Sequence, residues 1–281
     1  MGAIGVFDSG AGGLTVVAAL MRRLPHESIL YLGDTARLPY GTKSRETVRR
    51  YTARNVAFLR SRGVKGVVVA CNTASALALD GEALDGEALD GDASDTTAGS
   101  TTPLWGVVEP GATAAAAATR GRVGILATES TVHSDAYGRA IRRLRPGTEV
   151  LSQACPLFVP LVEEGWSDDP ITEQVAQRYL QPLLDAGVDT LVLGCTHYPA
   201  LGQTLRRLIG EDIALVDSAE AAAAHVATAL AGQGPTAQPA EQPPRHHFCV
   251  TDTAERFQRI ALELLVDFPV AETLSLELVE V

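Results

Sequence analysis

Short runs of aliphatic and β-branched residues recur along the chain, at 4–7, 29–32, 67–70, 123–126, 191–193 and 213–216, and each stops at small or polar residues. Runs that are apolar throughout, rather than alternating, suit strands covered on both faces, since neither side meets water. Between them lie stretches with apolar positions at helical spacing, among them roughly 47–62 and 172–186. Strand alternating with helix predicts an α/β fold of doubly wound, mostly parallel sheets. Ligands of such sheets gather beyond the carboxyl ends of the strands. The chemistry is therefore expected where the apolar runs stop.

The pattern repeats itself once. Residues 63–73 (GVKGVVVACNT) align without a gap on 187–197 (GVDTLVLGCTH), which sets Cys71 against Cys195. A helical stretch precedes each copy, and each half opens on a similar strand and turn, 5–9 (GVFDS) and 124–128 (GILAT). Strand patterns recur generically in α/β proteins, but a cysteine at the same step of both halves does not. Two pseudo-symmetric lobes are expected, with both cysteines at the ends of equivalent strands and the active site in the cleft between the lobes. The expected boundaries are 1–98 with 214–281 for the first lobe and 103–213 for the second.

Two segments break the pattern. Residues 78–91 contain Ala-Leu-Asp-Gly three times and run into a stretch rich in Asp, Ser, Thr and Gly. Such a composition buries too little apolar surface to order itself, so 78–102 reads as a flexible acidic insertion. Residues 232–247, rich in Gln, Pro and Gly, read as a second surface loop.

Charge changes the picture mainly by exclusion. The net charge is −11, and residues 80–95 alone hold seven acids without a Lys or Arg, which leaves −4 for the rest of the chain. Phosphate binding needs clustered cations, so a nucleic-acid partner is not expected. No apolar run approaches the ~20 residues that span a bilayer. The chain enters a strand pattern at once, without a basic, cleavable leader, so a cytoplasmic location is expected. Four cysteines, Cys71, Cys155, Cys195 and Cys249, in 281 residues do not form a secreted disulfide framework and read as thiols.

Cys71 and Cys195 carry the candidate chemistry. Inverting a carbon centre by proton transfer needs a base on one face of a planar carbanion and an acid on the other, both titrating near working pH. Thiols suit this, and both cysteines precede expected helix starts, whose N–H groups favour a thiolate. Buried structural cysteine is the competing reading, and it is accepted for Cys155 and Cys249. A pyridoxal cofactor would need a lysine. The chain has two, and Lys65 lies at the wrong end of its strand while Lys43 has no supporting motif. The turn Asp8-Ser9-Gly10-Ala11-Gly12-Gly13 is not a dinucleotide fingerprint, but its amides could hold a carboxylate or phosphate. A carboxylate there, Asp8, calls for a partner such as a substrate ammonium or a thiol. His197 could be a solvated loop residue or could join Cys71 and Asp8 around a metal, though no second Cys or His pair supports the latter.

In chain order, FDSGAGGL (7–14), GDT (33–35), LPYG (38–41), ACNTAS (70–75), EPG (109–111), PLFVPLVE (156–163) and GCTHYP (194–199) resemble the glutamate racemases of the aspartate/glutamate racemase superfamily. The resemblance runs over nearly the whole chain. It implies two α/β lobes, no cofactor or metal, a homodimer, and interconversion of L- and D-glutamate for peptidoglycan synthesis. Cys195 matches the base toward the L-enantiomer and Cys71 the base toward the D-enantiomer. Asp8 resembles the carboxylate assisting the first thiol; His197 and Glu163 resemble the groups assisting the second. Ser9, Pro39, Tyr40, Gly41, Asn72, Thr73, Thr128, Thr131 and Thr196, with Asp8 and His197, fall where the family holds substrate. The acidic stretch after Ser75 departs from the family pattern. Two other readings stay open at this point: an aspartate racemase, and a non-catalytic protein that holds a small dicarboxylate.

Overall fold

The computed structural model describes residues 2–79, 102–232, 244–252, 254–265, 268 and 276–281. Its first sheet begins with β1 (Ile4–Asp8), followed by α1 (Leu14–Arg23), β2 (Ile29–Gly33), α2 (Arg45–Ser61), β3 (Gly66–Val69), α3 (Asn72–Ala78) and β4 (Leu104–Gly106). The chain then builds a second sheet through α4 (Val108–Ala118), β5 (Arg122–Ala127), α5 (Glu129–Ser134), α6 (Ala136–Leu144), β6 (Glu149–Ala154), α7 (Phe158–Glu163), α8 (Pro170–Asp185), β7 (Thr190–Gly194), α9 (Gly202–Ile209) and β8 (Ala214–Asp217). Helix α10 (Ser218–Gly232) returns it to the first sheet, where β9 (His247–Val250), α11 (Ala254–Leu264) and β10 (Leu276–Leu278) complete the edge.

Strand order is β10-β9-β2-β1-β3-β4 in one sheet and β6-β5-β7-β8 in the other, and every pairing is parallel. The run β2-β1-β3-β4 thus has the same order as β6-β5-β7-β8. β3 lies beside β1, with Phe7 opposite Val69, as β7 lies beside β5, with Ala127 opposite Gly194. The sequence echo around the two cysteines is therefore an echo of position in the two sheets.

Each sheet is buried on both sides, as its uninterrupted apolar strands require. On the first, Val6, Tyr31 and Val68 pack under α1, α10 and α11, while Phe7, Leu32 and Val69 pack under α2 and α3. On the second, Leu126, Leu191 and Leu193 face α7, α8 and α9, and Ile125, Ala127 and Val192 face α4 and α6. Local signals fix the helix ends. Ser44 caps α2 by accepting the Thr47 N–H, and Asp169 caps α8 by accepting the Ile171 N–H.

The lobe boundaries differ from the sequence expectation at two strands. β4, at 104–106, belongs to the first sheet although the second lobe was expected to start at 103, and β8, at 214–217, belongs to the second sheet although the first was expected to resume at 214. Each four-strand unit closes with its own short last strand, and α4 and α10 are the true crossings. Of the insertion expected at 78–102, Ala78 instead ends α3, and residues 80–101 lie outside the described residues. Of the loop expected at 232–247, Gly232 ends α10, His247 starts β9 and 233–243 lie outside the described residues. No helix among the described residues is long and apolar enough to cross a membrane.

Candidate active site

The carboxyl ends of β1 and β3 in one lobe and of β5 and β7 in the other converge on a cavity of ≈ 300 Å³. That is the small end of the range for ligand pockets. Ser9, Pro39, Tyr40, Gly41, Cys71, Asn72, Thr73, Thr128, Glu163, Cys195, Thr196 and His197 line it, so twelve of the residues singled out from sequence meet there. Asp8 and Thr131 stand just behind its wall, both buried. All four cysteines are free thiols and buried; Cys71 and Cys195 line the cavity, whereas Cys155 and Cys249 do not.

Cys71 sits two residues beyond β3 and caps α3. Its Sγ accepts the Ala74 N–H at 3.4 Å and donates to Ser9 Oγ at 3.6 Å. Asp8, ending β1, accepts the Gly10 N–H at 3.0 Å and the Thr196 hydroxyl at 3.4 Å. Burial raises the Asp8 carboxyl above its ordinary range. Burial, reinforced by the Asp8 charge, pushes the Cys71 thiol up to about 12.

The second thiol has a different surround. No regular helix starts at Cys195, contrary to the sequence expectation: a 3-10 turn follows at Tyr198–Leu201 and α9 begins only at Gly202. Its partner is instead an imidazole, with His197 Nδ1 4.0 Å from Cys195 Sγ. The other ring nitrogen of His197 meets Glu163 Oε1 at 3.0 Å. Burial would lower the imidazole, but hydrogen bonds with Cys195 and Glu163 outweigh it and raise His197 to about 10. Glu163, likewise opposed by burial, is held below the usual carboxylate range by His197 and by Arg256, whose Nη2 lies 2.5 Å from Glu163 Oε2. The second half-site is thus a thiol, imidazole, carboxylate and guanidinium in series.

The two lobes are interlocked at this point. Thr15 of α1 donates to the Thr196 carbonyl at 2.9 Å. Gly12 lies so close to His197 and Thr196 that a Cβ there would stand 2.4 Å from Nδ1 and 2.5 Å from Thr196 Oγ1. Gly13 is similarly pressed on Asp8, with 2.4 Å between an added Cβ and the Asp8 Cβ. Gly12 and Gly13 of the first turn therefore permit the close approach of neighbouring side chains.

Hydroxyls supply much of the remaining lining. Thr73 of the first lobe and Thr128 and Thr131 of the second form a triangle with O···O separations of 2.9, 3.2 and 3.0 Å. Asn72 accepts from Tyr137 at 2.6 Å and donates to Ser218 at 3.4 Å, which fixes its amide. The Tyr40 hydroxyl is turned away from the cavity and bonds Asp34, which also accepts from Arg37, Asn55 and Thr251. Tyr40 thus shapes the lining with its ring and backbone. Donors without net charge suit a substrate carboxylate, because they satisfy it without a competing cation.

Sequence reasoning missed several contributors. Arg256 reaches the cavity from α11, and Pro156, Val159 and Pro160 form an apolar wall. Ser130 ties the second lobe to the Gly41 carbonyl at 2.7 Å. Nothing in their own neighbourhoods marks Arg256 or Ser130, since their partners lie some ninety residues away in the chain.

Two lobes of matching strand order, with a thiol presented by each to one small cavity, define an acid/base site of a size that suits a small carboxylate. Residues 14–226 match the Asp/Glu/Hydantoin racemase family, to which the chain belongs. Glutamate racemases from Geobacter metallireducens and Syntrophus aciditrophicus are each 51% identical to it, over 94% and 93% of this chain and 92% of theirs. Among solved structures, glutamate racemase from Bacillus anthracis superposes with a TM-score of 0.87 at 36% identity, covering 100% of this chain and 98% of that one. The Francisella tularensis glutamate racemase in complex with D-glutamate gives 0.85 at 35% identity, covering 99% and 97%.

Proposed function

We infer that the protein interconverts L- and D-glutamate by passing the α-proton between Cys195 and Cys71. The observation that carries this is the arrival of two thiols from equivalent strand ends of the two lobes in one cavity, each with its own ionisable helper. From L-glutamate, the Cys195 thiolate, beside the His197 imidazolium, takes the α-proton. The resulting carbanion is planar at Cα, and the Cys71 thiol returns a proton to the opposite face. Cys71 is left as thiolate and Cys195 as thiol, which is the state that accepts D-glutamate, and exchange with solvent restores the first state. Burial and the Asp8 charge raise the Cys71 thiol; a substrate ammonium in the cavity would offset that charge and let the thiolate form.

The hydroxyls of Ser9, Thr73, Thr128 and Thr196, the Asn72 amide and the backbone of Pro39, Tyr40 and Gly41 are assigned to the substrate's carboxylates and ammonium. The wider reading is of a cytoplasmic homodimer that supplies D-glutamate for peptidoglycan, with no resident cofactor or metal.

The test is to incubate metal-stripped protein, without added cofactor, with L- or D-glutamate in deuterated water. Circular dichroism follows optical activity and NMR the α-proton. Decay of rotation from either enantiomer with deuterium uptake at Cα is expected, and Cys71→Ser and Cys195→Ser should each lose about 1,000-fold or more in rate. Turnover of aspartate in preference to glutamate would replace the substrate. Inertness toward both, or near-parental rates in either serine variant, would overturn the two-thiol scheme.

A further inference from the structure

The two half-sites are not equivalent. Asp8, behind the first thiol, accepts hydrogen bonds from neutral groups, the Gly10 and Gly13 N–H and the Thr196 hydroxyl, and feels His197 through its charge. Glu163, behind the second, is shared between His197 and a guanidinium that comes from the other lobe. That guanidinium is Arg256, on α11, whose neighbours Phe257 and Ile260 are buried in the first lobe's core and whose Phe257 ring lies 5.7 Å from Tyr31. Glu163 is the last residue of α7, in the second lobe.

We propose that Arg256 is a positioning residue for the second thiol: it reaches across the mouth of the cleft and fixes the Glu163 carboxylate against His197. The proposal rests on the reading that Cys195, His197 and Glu163 act as one relay. Three features support it. A carboxylate has two oxygens, and here one meets His197 and the other Arg256, so the plane of the Glu163 carboxylate is fixed from both sides. Arg259, one turn further along α11, donates to the backbone carbonyl of Glu163 at 3.4 Å and so anchors the residue as well as its side chain. Immediately beyond it Gly165 adopts φ +77°, with Glu263 of α11 placed 3.0 Å from where its Cβ would be. One face of α11 thus follows the chain from Glu163 to Gly165.

The arrangement has a consequence for opening of the cleft. Arg256 and Glu163 stand in different lobes, so the pair is made only while α11 is seated against the second lobe. Arg256 is about half exposed and Glu163 is nearly buried, at 49% and 8% of their side chains. An exposed partner of that kind adds little to global stability, and its effect is expected in rate.

The test is a double-mutant cycle in the full chain with Arg256→Gln and Glu163→Gln, together with Arg256→Lys. Arg256→Gln is expected to lower kcat about tenfold in the L-to-D direction, with KM changed less than about twofold and the melting temperature unchanged. Arg256→Lys, which keeps the charge but not the planar fork, should recover to within about threefold of the parent. In the Glu163→Gln background, Arg256→Gln should have no further effect, because the pair acts as a unit. A loss seen mainly in KM, or an equal loss in both backgrounds, would overturn the proposal by making Arg256 a substrate contact or an independent structural group. If Glu163→Gln is itself as active as the parent, the relay and the proposal fall together. If Glu163→Gln is impaired but Arg256→Gln is not, the relay stands and the proposal alone falls.

Discussion

Replacing Gly12 by alanine tests the interlocking of the two lobes more sharply than removing a catalytic group would. The added methyl carbon would stand 2.4 Å from His197 Nδ1, 2.5 Å from His197 Cε1 and 2.5 Å from Thr196 Oγ1. Ordinary contact between such atoms is near ~3.5 Å, so something must move by about 1 Å. The imidazole cannot retreat freely, since its far nitrogen is 3.0 Å from Glu163, and Thr196 is tied through its carbonyl to Thr15. Over-packing of this kind costs about 1–3 kcal/mol in stability. A 1 Å displacement of a group in the reaction path costs about 100-fold in rate. Gly12→Ala should therefore remain folded, melt a few degrees lower, and lose about two orders of magnitude in kcat.

Steady-state racemization followed by circular dichroism from both enantiomers provides the assay. The two enantiomers have equal free energy in water, so kcat/KM must fall by the same factor in both directions, which checks the data internally. Gly202→Ala is the control: nothing lies within 4 Å of the added carbon, and alanine in a helix costs less than glycine. A Gly12→Ala protein with kcat within a few-fold of the parent would refute the close packing of the first-lobe turn on His197.

Two further outcomes follow from the network. His197 is raised to about 10 in the folded protein, against an ordinary value near ~6.5. A raised base stabilises fully below the unfolded value and loses that contribution as pH climbs through the folded one. Melting temperature should thus drop more steeply between pH 7 and pH 10 in the parent than in His197→Asn; parallel curves would show that the imidazole is not held protonated. Asp34 accepts from Arg37, Tyr40, Asn55 and Thr251 and is fully buried. Asp34→Asn leaves Arg37 without its carboxylate and should cost about 3 kcal/mol in urea unfolding, with a higher KM because the Pro39–Gly41 wall loosens; an unchanged midpoint and KM would contradict this.

The architecture was written locally. Six apolar strand runs and two long helices stand in the structure within a residue or two of where their patterns put them, because burial on both faces leaves a mark on every residue of a central strand. The strands that pattern missed are of another kind. β6 is an edge strand with exposed Glu149 and Ser152, β4 and β10 have three residues each, and β9, though inside its sheet, has only four, too few to show a period. Missing β4 moved the first lobe boundary, whereas the second moved because β8 was legible as a strand but the sheet it joins was not.

For the site, the chain by itself determined the candidate groups: a repeated strand followed by cysteine pointed to Cys71 and Cys195, and the ordered motifs pointed to Asp8, Glu163 and His197. What only the tertiary structure decided is how those groups are held. The closeness of Gly12 to His197, the threonine contacts across the cleft and the reach of Arg256 to Glu163 join residues 55 to 185 positions apart. A local pattern records whether a residue is buried and what it can donate or accept. It carries no record of which distant segment comes to meet it, and that meeting is what brings the two thiols to one cavity.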